Sequence, residues 1–228
     1  MTDLPTSPGE DDDSDAFAMD PVQIRVLAVL IEKSFLTPDT YPLSVNAIVT
    51  GANQLTGRDP VMALSESDVQ DALDALIAER WVARRDQAGA RVPKYEHLVR
   101  LRHSLPPPEQ AVLALLLLRG AQTVGELRSR SERMHGFADT SAVDAVLQHL
   151  AEKYPAMTIQ LPRAPGTKEA RWMHLLSGMP DMDAIAQGEA SAGQGGGGSH
   201  SLSARVATLE AEVQALREEL AAFRSQFE

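Results

Sequence analysis

The amino-acid sequence predicts a mainly α protein with a little β, two copies of one helical module followed by a coiled coil, on three observations. An amphipathic helix beginning at Leu64 runs straight into a basic hairpin that ends near Lys94. The same order then returns: Val26-Leu27-Ala28-Val29-Leu30 recurs as Val112-Leu113-Ala114-Leu115-Leu116, Ser44-Val45 as Thr123-Val124, and Val69, Leu73 and Leu76 as Val143, Leu147 and Leu150. Finally, Leu202, Val206, Leu209, Val213, Leu216, Leu220, Phe223 and Phe227 follow the alternating three- and four-residue steps of a heptad seam. Three helices closed by a two-stranded wing make a winged helix. The expected fold class is therefore α+β, two tandem winged-helix domains with small β-hairpin wings, plus a C-terminal coiled-coil helix.

Residues 1–19 hold Glu10, Asp11, Asp12, Asp13 and Asp15 among Pro, Ser and Gly, a composition that buries too little surface to fold, so they read as a disordered acidic tail. The first domain spans residues 20–104. It opens at Asp20-Pro21, an N-cap followed by proline at the first helical position, and Ile24, Val26, Leu27, Leu30 and Ile31 give the buried face. Pro38 and Pro42 break the chain before Ser44, after which Val45, Ala47, Ile48 and Ala52 suit a short helix. Ser65 with Asp68 has capping-box spacing, and Leu64 and Val69 stand where a hydrophobic staple would close the first turn. Val69, Ala72, Leu73, Leu76 and Ile77 then form one inward stripe. Trp81–Arg85, a turn at Gln87–Gly89 and a return over Arg91–Tyr95 make the wing.

Proline-rich Arg100–Pro108 reads as the joint to the second domain, residues 105–178. There Thr123 with Glu126 and Ser141 with Asp144 again have capping-box spacing. Met157–Leu161 alternates as a strand, Pro165-Gly166 turns, and Lys168–Leu176 returns. Residues 179–201 read as a flexible linker, and the glycines at 195–198 lack the Lys and Ser or Thr of a phosphate loop. Residues 202–228 are the coil. Val206 and Val213 at a with Leu209 and Leu216 at d favour a parallel homodimer, and Arg205–Glu210, Glu212–Arg217 and Glu219–Arg224 are g-to-e pairs of opposite sign.

The formal charge of −11 weighs against nucleic acid until it is divided along the chain. Residues 1–20 carry seven acids and no base, and residues 181–228 eight acids and three bases, which leaves the middle near neutrality. Cysteine is absent, which excludes disulfides and thiolate metal sites, and the longest apolar run, Ala111–Leu118, is far too short to span a bilayer. A soluble cytoplasmic protein is expected. His97, His103, His135, His149, His174 and His200 show no ligand spacing, and no nucleophile, base and orienter assemble from motifs, so neither catalysis, cofactor nor metal is expected.

The chemistry that stands out is cationic. Residues 80–102 carry seven bases against two acids, and Arg84, Arg85, Arg91 and Lys94 on the wing are candidate phosphate contacts. In the second module Gln148 and His149 on the outward side of the last helix, with Arg163, Lys168 and Arg171 on the wing, are the matching candidates. Against this, Glu66, Asp68, Asp71 and Asp74 make the first recognition helix acidic, and the wing arginines have those carboxylates as alternative partners. Arg58, beside Asp59-Pro60, reads as a loop staple, and Trp81 and Trp172 as core. The expected function is double-stranded DNA binding by a regulatory dimer; the acidic tail reads as a solubilising segment, with competition for the wings as its alternative. The alternative is a protein-interaction adaptor that binds no DNA.

Several local stretches carry a family resemblance: Leu30-Ile31-Glu32-Lys33, Tyr41-Pro42-Leu43-Ser44, Arg58-Asp59-Pro60-Val61-Met62, Arg91-Val92-Pro93-Lys94-Tyr95, Gly125-Glu126-Leu127-Arg128 and Phe137-Ala138-Asp139. Over roughly Asp20 to Gly178 the chain resembles the YceH-like family of uncharacterised bacterial proteins. The resemblance implies two winged helices in tandem and brings no established activity. The acidic tail departs from the family's pattern.

Overall fold

A computed structural model describes residues 18–86, 92–163, 167–180 and 182. Among these residues the fold is mixed α+β, with seven α-helices and two small antiparallel sheets. Residues 164–168 and 182–228 group apart from the rest, so the architecture below is that of residues 18–163 and 169–180.

In the first half, α1 (Pro21–Leu36), α2 (Val45–Ala52) and α3 (Glu66–Ala78) precede the hairpin β1 (Val82–Arg85) and β2 (Lys94–His97). Asp20 accepts the amides of Val22 and Gln23 while Gln23 reaches back to the Asp20 amide, so the first turn of α1 has its free donors satisfied. From Ile24 to Ile31 every residue of α1 is buried, which marks it as a helix covered on all sides rather than one with a wet face. Ser44 and Ser65 cap α2 and α3, the latter through a reciprocal box with Asp68. Val69, Ala72, Leu73 and Leu76 are buried as the spacing predicts, with Ile77 partly covered.

A short helix α4 (Val99–His103) leads to α5 (Pro107–Arg119), β3 (Gln122–Thr123), α6 (Val124–Ser131), α7 (Thr140–Glu152), β4 (Thr158–Gln160) and β5 (Arg171–His174). The sheet order is β3-β5-β4. Like α1, α5 is buried along its length, from Glu109 to Leu118, and the two helices lie against each other. Residues of both halves therefore form one continuous core.

Four local expectations are corrected. The return strand runs Lys94–His97 rather than Arg91–Tyr95, because Tyr95 is buried and exchanges two main-chain hydrogen bonds with Leu43, of 3.0 and 2.7 Å, which centres the strand on it. Part of the Arg100–Pro108 joint is helical, as α4. The N-cap of α7 is Asp139, which accepts the Ala142 amide at 2.9 Å, and Ser141 donates its hydroxyl to that same carboxylate. Met19, assigned to the acidic tail, is buried, and its amide donates to the Leu176 carbonyl at 2.9 Å. The rest of the acidic tail, residues 1–17, the 87–89 turn, and the coil lie outside the described residues.

Gly51 shows how tightly α2 meets α1. A Cβ there would stand 2.7 Å from Val29 Cγ1, closer than side chains tolerate. Past α2, Asn53 closes the 53–64 loop by donating to the Leu64 carbonyl and accepting its amide, both at 2.8 Å.

Candidate nucleic-acid interface

The first hairpin sets Arg85 opposite Lys94 and Arg84 opposite Tyr95. Two cations facing each other repel, and Glu96, two residues along on the same face, relieves this by accepting Arg85 Nε at 2.8 Å. Arg84 donates to Asp86 at 3.0 Å. Both arginines are thus matched by carboxylates of the hairpin itself, not by Asp71 and Asp74 as the alternative reading of the sequence had it, although Asp74 still adds a weaker attraction to Arg84. Lys94 is half-buried, and Arg91 lies outside the described residues. The outward side of α3 exposes Glu66, Asp68, Asp71 and Asp74 and holds no base. Its Asp68 carboxyl is held below the usual range by the Ser65 amide and hydroxyl.

The second half differs. On α7, Ala145 and Gln148 are exposed and uncharged. His149 is turned toward α5, its Nδ1 2.8 Å from the buried Glu109 carboxylate, which also has Lys153 Nζ at 3.3 Å. Arg163 and Arg171 are exposed on either side of the turn in sequence, and Lys168 is exposed as well. Arg171 also acts on Glu126 of α6. Sequence reasoning passed over Arg128, Arg130 and Arg133, exposed on α6 and the turn after it. Their signal was the run Arg128-Ser129-Arg130-Ser131-Glu132-Arg133.

It also passed over a buried polar joint. Arg25 Nη1 and Nη2 donate to the Ala52 and Pro60 carbonyls at 3.1 and 2.7 Å, tying α1 to both ends of the following loop. Burial lowers its pKa, and Arg58 lowers it further. Arg58, a loop staple as its sequence context suggests, has a side chain only 1 % exposed and donates to Glu32, Gln54 and the Gly51 and Gly57 carbonyls. Burial pushes the Glu32 carboxyl up, but the hydrogen bonds and charge of Arg58, with Lys33 beside it, outweigh that and hold it below the usual range. The next residue, Asp59, donates its amide to the Leu118 carbonyl at 2.8 Å, so this loop fastens the first half to the end of α5.

A mixed α+β protein with seven α-helices and two small antiparallel sheets among its described residues, and with exposed cations both on its strands and on α6, is the class that fold and site define. The profile of a family described as a protein of unknown function, DUF480, matches residues 19–167. A UPF0502 protein of Azoarcus sp. (strain BH72) is 64% identical over 225 residues, covering 99% of this chain and 97% of that one. One from Aromatoleum aromaticum is 64% identical over 207 residues, with 90% and 89% covered, and one from Geobacter sulfurreducens 48% over 216, with 91% and 97%. The chain belongs to this DUF480/UPF0502 family of uncharacterised bacterial proteins, in agreement with the YceH-like resemblance. Among the described residues no helix is long and apolar enough to cross a membrane.

Proposed function

We propose that this chain is a tandem winged-helix protein that binds double-stranded DNA without catalysing a reaction, acts as a homodimer through its 202–228 helix, and makes its main DNA contacts with the second half. The observation that carries this reading is the contrast between the two hairpins. Arg84 and Arg85 are already matched by Asp86 and Glu96 beside an acidic α3. Arg163 and Arg171 are exposed and make no ion pair among the described residues, beside an α7 whose outward Ala145 and Gln148 repel nothing. Phosphates are held by unneutralised cations, and each such contact adds to the salt dependence of binding. In this reading Lys168 is a phosphate contact in its own right, Lys94 and Arg91 serve the first hairpin, and Gln148 reaches a base edge. His149 orients through Glu109 rather than touching DNA.

Charge reversal tests it. Anisotropy of labelled genomic duplexes at two salt concentrations should show Arg163→Glu with Arg171→Glu weakening binding to all sequences and flattening the log–log salt slope by about two. Arg84→Glu with Arg85→Glu should do less. Unchanged affinity and slope in the Arg163/Arg171 variant rule the assignment out. The adaptor reading is favoured by one observation, the exposed acids of α3 with no base among them, and gains if the wild-type chain binds no duplex at low salt.

A further inference from the structure

Several guanidinium groups converge where the 51–60 loop, α5, α6 and β5 meet. Arg58 is fully occupied by Glu32, Gln54 and two carbonyls. Arg130 donates to Gln122 at 2.7 Å and to Glu126 at 3.0 Å. Arg171 lies near the same Glu126. Between them stands Arg119, the last residue of α5, close enough to Arg58 and Arg130 to be repelled by both and to Glu32 and Glu126 to be drawn to both. Its Nη2 comes 3.2 Å from the point where a Cβ would stand on Gly57, a residue at φ +77° that leaves the guanidinium room beside the backbone. Among the described residues Arg119 makes no hydrogen bond and no ion pair, although it is half-buried.

The charges do not balance. Lys33, Arg58, Arg119, Arg130 and Arg171 outnumber the carboxylates near them, which are Asp59, Glu169, whose Oε2 lies 3.9 Å from the Cβ point of Gly125, and the two that act on Arg119, Glu32 and Glu126. Both carboxylates are engaged already, Glu32 by Arg58 and Lys33, and Glu126 by the Thr123 amide that it caps and by Arg130. A half-buried guanidinium with no protein acceptor among the described residues, set among like charges, is stabilised when an anion enters. Burial and the neighbouring Arg130 and Arg58 already press its pKa down, a strain that an anion would relieve.

We propose that Arg119, with Arg130, forms a phosphate-binding site at the seam between the two halves. A phosphate suits it better than a carboxylate. Its tetrahedral oxygens can take the Arg119 fork together with the N–H groups of Arg130 that Gln122 and Glu126 leave unused, and its double charge answers the surplus of cations. The phosphate belongs either to a small phosphorylated ligand or to a nucleic-acid backbone. The site does not depend on the hairpin reading, because inorganic phosphate alone probes it.

Phosphate is titrated into the full chain at constant ionic strength against chloride, and the unfolding midpoint and the heat of binding are read. A saturable rise in midpoint is expected, with Arg119→Gln and Arg130→Gln each weakening phosphate by about tenfold or more and Arg100→Gln, on exposed α4, leaving it unchanged. Arg130 is exposed enough for its variant to fold if Arg119→Gln does not. In a second arm a nucleoside monophosphate and a short duplex replace phosphate. Loss of affinity in the variants for the monophosphate assigns the site to a small ligand, and loss for the duplex assigns it to a backbone. No saturable effect in the wild-type chain, or a phosphate response in both variants equal to that of the wild-type chain, overturns the proposal.

Discussion

Burial holds His97, His103 and His174 neutral, with pKa values lowered to about 4 in each case. The His97 amide donates to the Tyr41 hydroxyl at 2.7 Å and its Nε2 lies 3.2 Å from Ser34 Oγ, so this ring ties the first hairpin to α1. The sign of the pH effect follows from the direction of the shift. Below pH ~6.5 the unfolded chain takes up protons that the folded chain refuses, so stability falls with pH until the folded groups titrate, by at most about 1.4 kcal/mol per pH unit for each fully buried histidine. Urea unfolding at pH 7 and pH 5 should differ by about 2–4 kcal/mol in favour of pH 7, and His97→Gln should reduce the difference. A curve flat over that range would show the three rings to be less enclosed than described. The sequence showed six histidines without ligand spacing, but nothing in it told the buried ones from the exposed, because burial depends on residues such as Ser34 and Tyr41, more than fifty positions away from His97.

At the scale of elements, Gly51 sets how close α2 lies to α1. Gly51→Ala should cost about 1–3 kcal/mol by overpacking against Val29, and adding Val29→Ala should recover a large part of it, a coupling that denaturant midpoints of the single and double variants would reveal. Additive losses would mean that the helices separate instead. Caps were the most legible features. Asp20, Ser65 and Thr123 each lie three residues from the partner that completes the box, so the signal is wholly local. The start of α7 was misread because Asp139 and Ser141 both suit an N-cap, and the choice falls to the carboxylate that accepts both the Ala142 amide and the Ser141 hydroxyl. The second strand was placed too early because its position is dictated by Leu43, half a domain upstream. The wing cations were legible as residues but not as free charges, since Asp86 and Glu96 count as two acids in composition and as two neutralising partners in space.

For the whole molecule, the repeat read in the sequence corresponds to α1 and α5, two helices buried all round that lie together at the centre of one core. Arg58 is legible in the sequence as a loop staple, but the seam that its loop closes with α5 is not, because the Leu118 carbonyl that takes the Asp59 amide lies far along the chain. Assembly is expected to come from elsewhere. Light scattering across a dilution series should find the full chain dimeric and a chain ending at Gly178 monomeric at tens of micromolar, as a coil of fewer than four heptads is concentration-dependent. Two monomers, or two dimers, would remove residues 202–228 as the cause. The contact between Met19 and Leu176 has a mechanical meaning of its own. It closes the backbone into a ring, fastened by one hydrogen bond and one buried thioether side chain. Among the described residues, tension that draws Ala18 and Pro180 apart is met at that clasp before it reaches α1 or α5.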